Sequence, residues 1–184
     1  MSPRRVFLLS STVALIFGSL NQPVWVDEML HFVLAGLAWP DILAIIQETS
    51  GTVNHGQTWM AQLASIASLK ILGANEVSLR ILSILSTVVF FYTSLRILSI
   101  FEVPWQLQLT FVGTTLLVND FAFQMGNARP YMPLLAASSA LLWSLLRLWS
   151  LERSKGAAPL FVLVALIGAL VHPYFPAIIG ALVV

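Results

Sequence analysis

The amino-acid sequence has no cysteine and very few charged residues. The absence of cysteine excludes disulfides, thiolate nucleophiles and cysteine-ligated metal sites. Only 9% of the residues are charged and 58% are hydrophobic, whereas a typical soluble domain has about 25% charged residues. A chain with so few charges cannot present a polar surface to water. The composition therefore predicts an integral membrane protein.

Clusters of basic residues are missing as well. The chain has 9 Lys and Arg against 8 Asp and Glu, a net charge of +1, and these residues are scattered. We therefore expect no nucleic-acid partner. A membrane crossing takes about 20 apolar residues, so the 184 residues have room for about five or six crossings. We expect a single transmembrane domain over residues 1–184. Because residues 177–184 end within an apolar run, we expect it to be the N-terminal part of a longer protein.

The basic residues predict the topology. Arg4 and Arg5 precede an apolar run over 6–20 without a small-x-small cleavage site, so we expect an uncleaved first span and a cytoplasmic N-terminus. The excess of Lys and Arg in cytoplasmic loops is greatest when residues 57–73 lie in the interface instead of crossing. The expected fold is an all-α, polytopic transmembrane bundle in a bacterial inner membrane. The further spans are predicted at 77–100, 104–118, 131–149 and 158–171, with another run from residue 176.

The first outer loop, residues 21–56, is the most polar part of the chain. Apolar residues recur at helical spacing over 27–39, and Pro40 and Asp41 can start a second short helix that ends at Gln47. Residues 48–56 have the composition of a loop. Because neither helix is long enough to cross a bilayer, we expect both to lie in the membrane interface.

Two adjacent carboxylates and a histidine follow the predicted first span. On a helix, His31 lies about one turn from Asp27 and Glu28, so the three residues share neighbouring faces. Such a cluster can supply a general base or ligands for a divalent cation such as Mg²⁺ or Mn²⁺. Alternatively, the two carboxylates mark an exposed helix start, where the helix dipole favours negative charge. The residues alone leave both interpretations open.

Two arginines fall on the outer side in this topology. A guanidinium group matches phosphate oxygens, and an arginine at the end of a span is costly unless it is paired or near the surface. Arg80 is therefore a candidate phosphate ligand, with a snorkelling side chain as the alternative. Arg129 comes just before a predicted helix start, where the dipole disfavours cations, and this favours a functional role. His55 and His172 also fall on the outer side, where each taken alone is an ordinary loop residue.

Taken together, several segments resemble the GT-C glycosyltransferases, which include the protein O-mannosyltransferases and the lipid A aminoarabinose transferases. The pair Asp27-Glu28 is similar to the acidic pair after their first span. Residues 54–59 resemble their His-Pro-Pro-Leu segment, with Gly-Gln in place of the proline pair. Residues 72–83 resemble their Phe-Gly-x-x-Glu-x-x-x-Arg-Leu-x-Ser stretch. Residues 128–131 match their Ala-Arg-x-Tyr, and residues 172–174 resemble a His-Tyr at a later outer turn.

The resemblance implies an inverting transfer of a sugar from a polyprenyl-phosphate donor to a lipid, glycan or protein acceptor at the outer membrane face. It implies that Asp27 is the base for the acceptor hydroxyl, that Glu28 supports it or binds the acceptor, and that Arg80 holds the lipid phosphate. The other implied substrate-binding residues are Arg129, Tyr131, His55 and His172. Some relatives use a divalent metal near the acidic pair, so a Mg²⁺ or Mn²⁺ ion on Asp27, Glu28 and His31 stays open.

A second class of function fits the same residues. A non-catalytic membrane protein, or a fragment of the same fold, could use the same pocket to bind membrane lipids or a partner protein. A small transporter fits least, because it would place charges at mid-membrane and show inverted repeats, and the sequence has neither.

Overall fold

The structure, a computed structural model, describes residue 24 and residues 26–49, 59–149 and 156–183. These described residues form nine α-helices and no strand, and 85% of them are helical. The predicted all-α class is therefore confirmed for this part of the chain. The helices are α1 (Val26–Ala35), α2 (Trp39–Thr49), α3 (Trp59–Leu72), α4 (Glu76–Ile100), α5 (Trp105–Leu117), α6 (Asn119–Met125), α7 (Tyr131–Trp149), α8 (Ala157–Val171) and α9 (Phe175–Val183). The predicted first span, 6–20, lies outside the described residues.

The boundary between α1 and α2 differs from the prediction. Helix α1 ends at Ala35, where the backbone N–H of Gly36 donates to the Val33 carbonyl in a tighter turn. Helix α2 begins at Trp39, so Pro40 lies inside its first turn. Proline is tolerated there because the first N–H groups of a helix have no intrahelical acceptor. The prediction that the first helix continues to Trp39 is therefore wrong.

Helix α3 is too short to cross a membrane. Its 14 residues extend about 21 Å at 1.5 Å per residue, less than the roughly 30 Å of a bilayer core. The chain then turns through Gly73, whose positive φ of 97° is one that glycine adopts readily. Near the end of α3, Nζ of Lys70 donates to the Leu37 carbonyl at 2.6 Å and lies 5.5 Å from the centroid of the Trp39 ring. Lys70 therefore ties α3 to the connection between α1 and α2.

Helices α4 and α7 are the two described helices that are long and apolar enough to cross a membrane. They pack against each other, and Oγ1 of Thr93 lies 2.6 Å from Oγ of Ser139 across their interface. The buried face of α4 is rich in small polar side chains, while large apolar side chains of the same helix are exposed. The buried polar set is Ser78, Ser83, Ser86, Thr87, Thr93 and Ser94. The exposed apolar set is Val77, Leu85, Val88, Val89 and Ile100.

The span expected over 104–118 is one helix, α5, whose 13 residues are fewer than the about 20 that a membrane crossing takes. Helix α5 ends at Leu117, and Val118 is extended, with φ −70° and ψ 116°. Helix α6 follows at once and packs on α4, where the ring centroids of Phe91 and Phe121 are 5.6 Å apart. The predicted spans at 104–118 and 131–149 leave residues 119–130 as a loop between them, but residues 119–125 are helical. The buried aromatic contact explains why this short segment is held as a helix.

Candidate functional site

The side chains of Glu28 on α1 and Arg80 on α4 form an ion pair in the protein interior. Nη2 of Arg80 donates to Oε2 of Glu28 at 3.4 Å, and each side chain is only 1% exposed. Both charges are desolvated, and each compensates the other. Loss of either partner would leave a buried charge without this counterion, which is strongly destabilising.

The second oxygen of Glu28 is engaged as well. The backbone N–H of Ala128 donates to Oε1 at 2.7 Å. A hydrogen bond to an ionised carboxylate is about twice as strong as one between neutral groups. Ala128 lies in the connection between α6 and α7, residues 126–130. One carboxylate therefore joins α1, α4 and the α6–α7 connection, which are far apart in the sequence.

Arg80 also contacts a carboxylate one turn earlier on its own helix. Nη1 lies 3.5 Å from Oε2 of Glu76, whose side chain is 44% exposed. Glu76 is the first residue of α4, where the helix dipole favours a negative charge. The guanidinium group thus lies between a buried and a partly exposed carboxylate. These three side chains, Glu28, Glu76 and Arg80, form an ion-pair cluster that lies directly below the protein surface.

Two further hydrogen bonds fix the backbone around the ion pair. Oγ of Ser83, one turn after Arg80, donates to the Asn127 carbonyl at 2.6 Å. At the start of α4, the backbone N–H of Ser78 donates to Oδ1 of Asn75 at 2.9 Å, a typical N-cap. Together these bonds fix the start of α4 and its contact with the α6–α7 connection.

The structure brings part of the predicted site together. Arg129 directly follows Ala128 and its side chain is half-buried, while His31 is buried on α1. The backbone of Asp27 belongs to α1, but its side chain lies outside the described part of the structure. All of His55 also lies outside it. The roles implied for Asp27 and His55 therefore stay predictions.

The described side chains do not fit a divalent-cation site. Among them, no three His, Cys, Asp or Glu residues are grouped so that they could hold a metal ion. Both oxygens of Glu28 accept hydrogen bonds, one from Arg80 and one from a backbone amide. A cation could bind this carboxylate only if these bonds were broken. Because the Asp27 side chain lies outside the described part of the structure, the Mg²⁺ or Mn²⁺ site on Asp27, Glu28 and His31 stays a prediction.

A second group of predicted residues meets at the turn between α8 and α9. The ring centroids of Tyr131 and His172 are 6.2 Å apart, and those of His172 and Tyr174 are 5.2 Å apart. His172 is buried, whereas Tyr131 and Tyr174 are exposed. Tyr131 begins α7, two residues after Arg129 in the α6–α7 connection. Ala128 of the same connection binds Glu28, so this connection joins the aromatic group to the ion pair.

Burial lowers the pKa of the His172 imidazole from its usual value of 6.5. The backbone N–H of Tyr174 donates to Nδ1 of His172 at 3.2 Å. Nδ1 can accept this bond only when it carries no proton. Both observations are consistent with a neutral imidazole near pH 7.

Glu76 and Asn127, which lie close to the ion pair, were not singled out as site residues by the sequence. Glu76 had a usable signal, because glutamate four residues before an arginine on a helix predicts a pair. Asn127 had no such signal, because it contributes a backbone carbonyl that accepts a hydrogen bond from Ser83. Any residue type can supply that group.

Comparisons of the chain with family models, curated proteins and solved structures found no match.

The lowered pKa of His172 predicts a pH-dependent stability. The unfolded chain binds a proton to this residue near pH 6.5 and the folded chain only at lower pH, so stability falls as the pH drops from about 6.5. We expect His172→Asn to flatten this part of the profile, because an amide oxygen can still accept the Tyr174 N–H but does not titrate. Thermal unfolding in detergent between pH 7.5 and pH 5 measures the effect. An unchanged pH profile in the variant would contradict this assignment.

The ion pair predicts a large stability loss on removal of Glu28. We expect Glu28→Ala to destabilise the protein by about 3 kcal/mol, because Arg80 and the Ala128 N–H both lose a buried acceptor. Denaturant titration of the purified protein in detergent measures it. Glu48→Ala on α2 is the matched control, since Glu48 is exposed and should change stability by less than about 0.5 kcal/mol. Equal losses in the two variants would show that the pair does not hold α1 on α4.

Proposed function

We propose that this chain is the membrane part of a glycosyltransferase with a GT-C-like architecture, which transfers a sugar from a polyprenyl-phosphate donor at the outer face of a bacterial inner membrane. The observation that carries the proposal is the pair of contacts made by Glu28. They bring the acidic segment on α1, the Arg80 segment on α4 and the Ala128-Arg129-Pro130-Tyr131 segment together. These are three of the segments on which the sequence resemblance rests.

The distribution of polar and apolar side chains supports a membrane location. Helices α4 and α7 bury small polar residues between them, while Leu85, Val88 and Val89 face outward. Helix α8 likewise exposes Val162, Leu163, Leu166, Ile167 and Leu170. In water this arrangement is unfavourable, whereas in lipid small and polar residues at helix interfaces promote packing. The proposed protein is a polytopic bundle with α1 and α2 in the interface and its N-terminus in the cytoplasm.

The proposed reaction is a displacement at the anomeric carbon. The Asp27 carboxylate takes the proton of the acceptor hydroxyl, and the hydroxyl oxygen forms a bond to the anomeric carbon. The bond between that carbon and the phosphate oxygen breaks, and the polyprenyl phosphate leaves with the electron pair, so the configuration inverts. Positive groups close to the leaving phosphate stabilise the charge that develops there. Arg80 and Arg129 supply them, and Glu28 positions Arg80.

The exposed contact of Arg80 is where the donor phosphate would bind. Glu28 holds Nη2 from the buried side, whereas Nη1 pairs with the partly exposed Glu76. An incoming phosphate can replace the Glu76 carboxylate on Nη1 without breaking the buried pair. Tyr131 follows Arg129 by two residues, and its ring lies near that of His172. The sugar or the acceptor would be held beside these two rings.

Competition between Glu76 and phosphate gives a test of this placement. We expect Glu76→Gln to strengthen binding of a sugar-free polyprenyl phosphate by about three- to tenfold, because a neutral amide competes less for Nη1 of Arg80. Quenching of tryptophan fluorescence in detergent measures the affinity. Glu48→Gln makes the same charge change on the exposed face of α2 and serves as the control. Unchanged or weaker binding in the Glu76 variant alone would refute a phosphate role for Arg80.

The proposed base gives the test of transfer itself. We expect Asp27→Asn to reduce the rate of sugar transfer by about 10²- to 10⁴-fold, the contribution typical of a general base. The assay follows a radiolabelled sugar from its polyprenyl phosphate to an acceptor in membranes that contain the protein. Asp41→Asn, an exposed acidic residue of α2, is the control. Full activity in the Asp27 variant, with normal membrane insertion, would refute the assignment.

A non-catalytic lipid-binding protein of the same fold is the second candidate. The specific observation in its favour is that Arg80 is only 1% exposed and already contacts two carboxylates. A guanidinium group so fully paired is also what a purely structural ion pair requires. Binding of polyprenyl phosphate by the wild-type protein without any transfer would favour this candidate over the enzyme.

A further inference from the structure

The side chain of Asn127 is buried and has no hydrogen-bond partner among the residues that the structure describes. The residue is only 1% exposed, and within the described part of the chain neither Oδ1 nor Nδ2 has a partner. Three residues earlier, on α6, Oε1 of Gln124 is also buried and without a partner among the described residues. Buried polar groups are nearly always hydrogen-bonded, because an unpaired one loses its bonds to water. Two such amides, three residues apart along the chain, need an explanation.

Hydrogen bonds hold the backbone of Asn127 close to the ion pair. Its N–H donates to the Gln124 carbonyl at 3.3 Å, and its carbonyl accepts from Oγ of Ser83 at 2.6 Å. The next residue, Ala128, donates to Glu28. The backbone of Asn127 is therefore held next to the residue that binds Glu28.

The chemistry of an amide narrows the class of ligand. Oδ1 accepts hydrogen bonds and Nδ2 donates them, and the group carries no charge. A phosphate offers only hydrogen-bond acceptors and would bind Nδ2 alone. A metal cation binds only electron-pair donors and would use Oδ1 alone. A hydroxyl group both donates and accepts, and a sugar presents several of them. In the cluster, the charged groups suit the phosphate and the amide suits the sugar.

We propose that Asn127 binds a hydroxyl group of the donor sugar and so contributes to the choice of sugar, a role that rests on the proposed function. The unpaired amide is then a specificity residue that gives up stability in the free protein and regains its hydrogen bonds when the sugar is bound. Gln124 Oε1 is the second acceptor available to the same sugar. Functional sites commonly keep groups of this kind at the expense of stability.

The experiment compares stability and binding in the same purified full chain. Asn127→Leu has a similar size and no polar atom, so we expect a melting temperature a few degrees higher without ligand. The probes are polyprenyl phosphates that carry mannose, glucose, galactose or arabinose, and the sugar-free polyprenyl phosphate. The variant should bind the best sugar-bearing probe about tenfold or more weakly than the wild type and bind the sugar-free probe equally well. Asn119→Leu, at an exposed position at the start of α6, is the control and should leave both affinities unchanged.

A second variant keeps the test decisive if leucine disturbs the fold. Asn127→Ala removes both amide groups without adding bulk or charge, and it should also weaken only the sugar-bearing probes. Wild-type affinity for the sugar-bearing probes in both Asn127 variants would overturn the proposal while leaving the glycosyltransferase proposal intact. Failure of the wild-type protein to bind any of the probes would instead overturn the proposed function and this inference together.

Discussion

A single carboxylate holds the described structure together at its most charged point. Glu28 accepts from Arg80 and from the Ala128 N–H, and each bond joins α1 to a different segment. Removing two charges from water costs several kcal/mol per ion, so the arrangement persists only when both oxygens have well-placed donors. The need to satisfy this buried carboxylate therefore constrains how α1, α4 and the α6–α7 connection can be placed. The candidate site is a consequence of that constraint.

The helix packing around the site follows a related principle. Thr87 and Thr93 on α4 donate to carbonyls four residues earlier in their own helix, and Thr93 also lies against Ser139 of α7. Small hydroxyl side chains that satisfy themselves in this way let two helices approach closely without an unpaired polar group. The large side chains are then displaced to the outer surface, where lipid would solvate them. Stability in such a bundle comes from close packing more than from burial of apolar area.

The sequence predicted features that depend on local spacing and missed those that depend on distant contacts. The helical class and the bounds of α4 and α7 were predicted from local sequence patterns, and the structure agrees. The short helix α6 was missed, because the contact that orders it is a ring packing between Phe91 and Phe121. The pairing of Glu28 with Arg80 spans 52 positions. No local rule gives such a pair, and only the resemblance placed the two residues in one site.

The contacts of Glu28 also separate the roles of the two adjacent carboxylates within the proposed reaction. A base must accept a proton on an oxygen that can reach the acceptor hydroxyl. Oε2 of Glu28 faces Arg80 and Oε1 faces the Ala128 N–H, so Glu28 would have to give up a bond that holds the cluster together. Within the proposed reaction Glu28 is therefore a positioning residue, which keeps the guanidinium group in place. The proposal then assigns proton transfer to the neighbouring Asp27, the other carboxylate of the acidic pair.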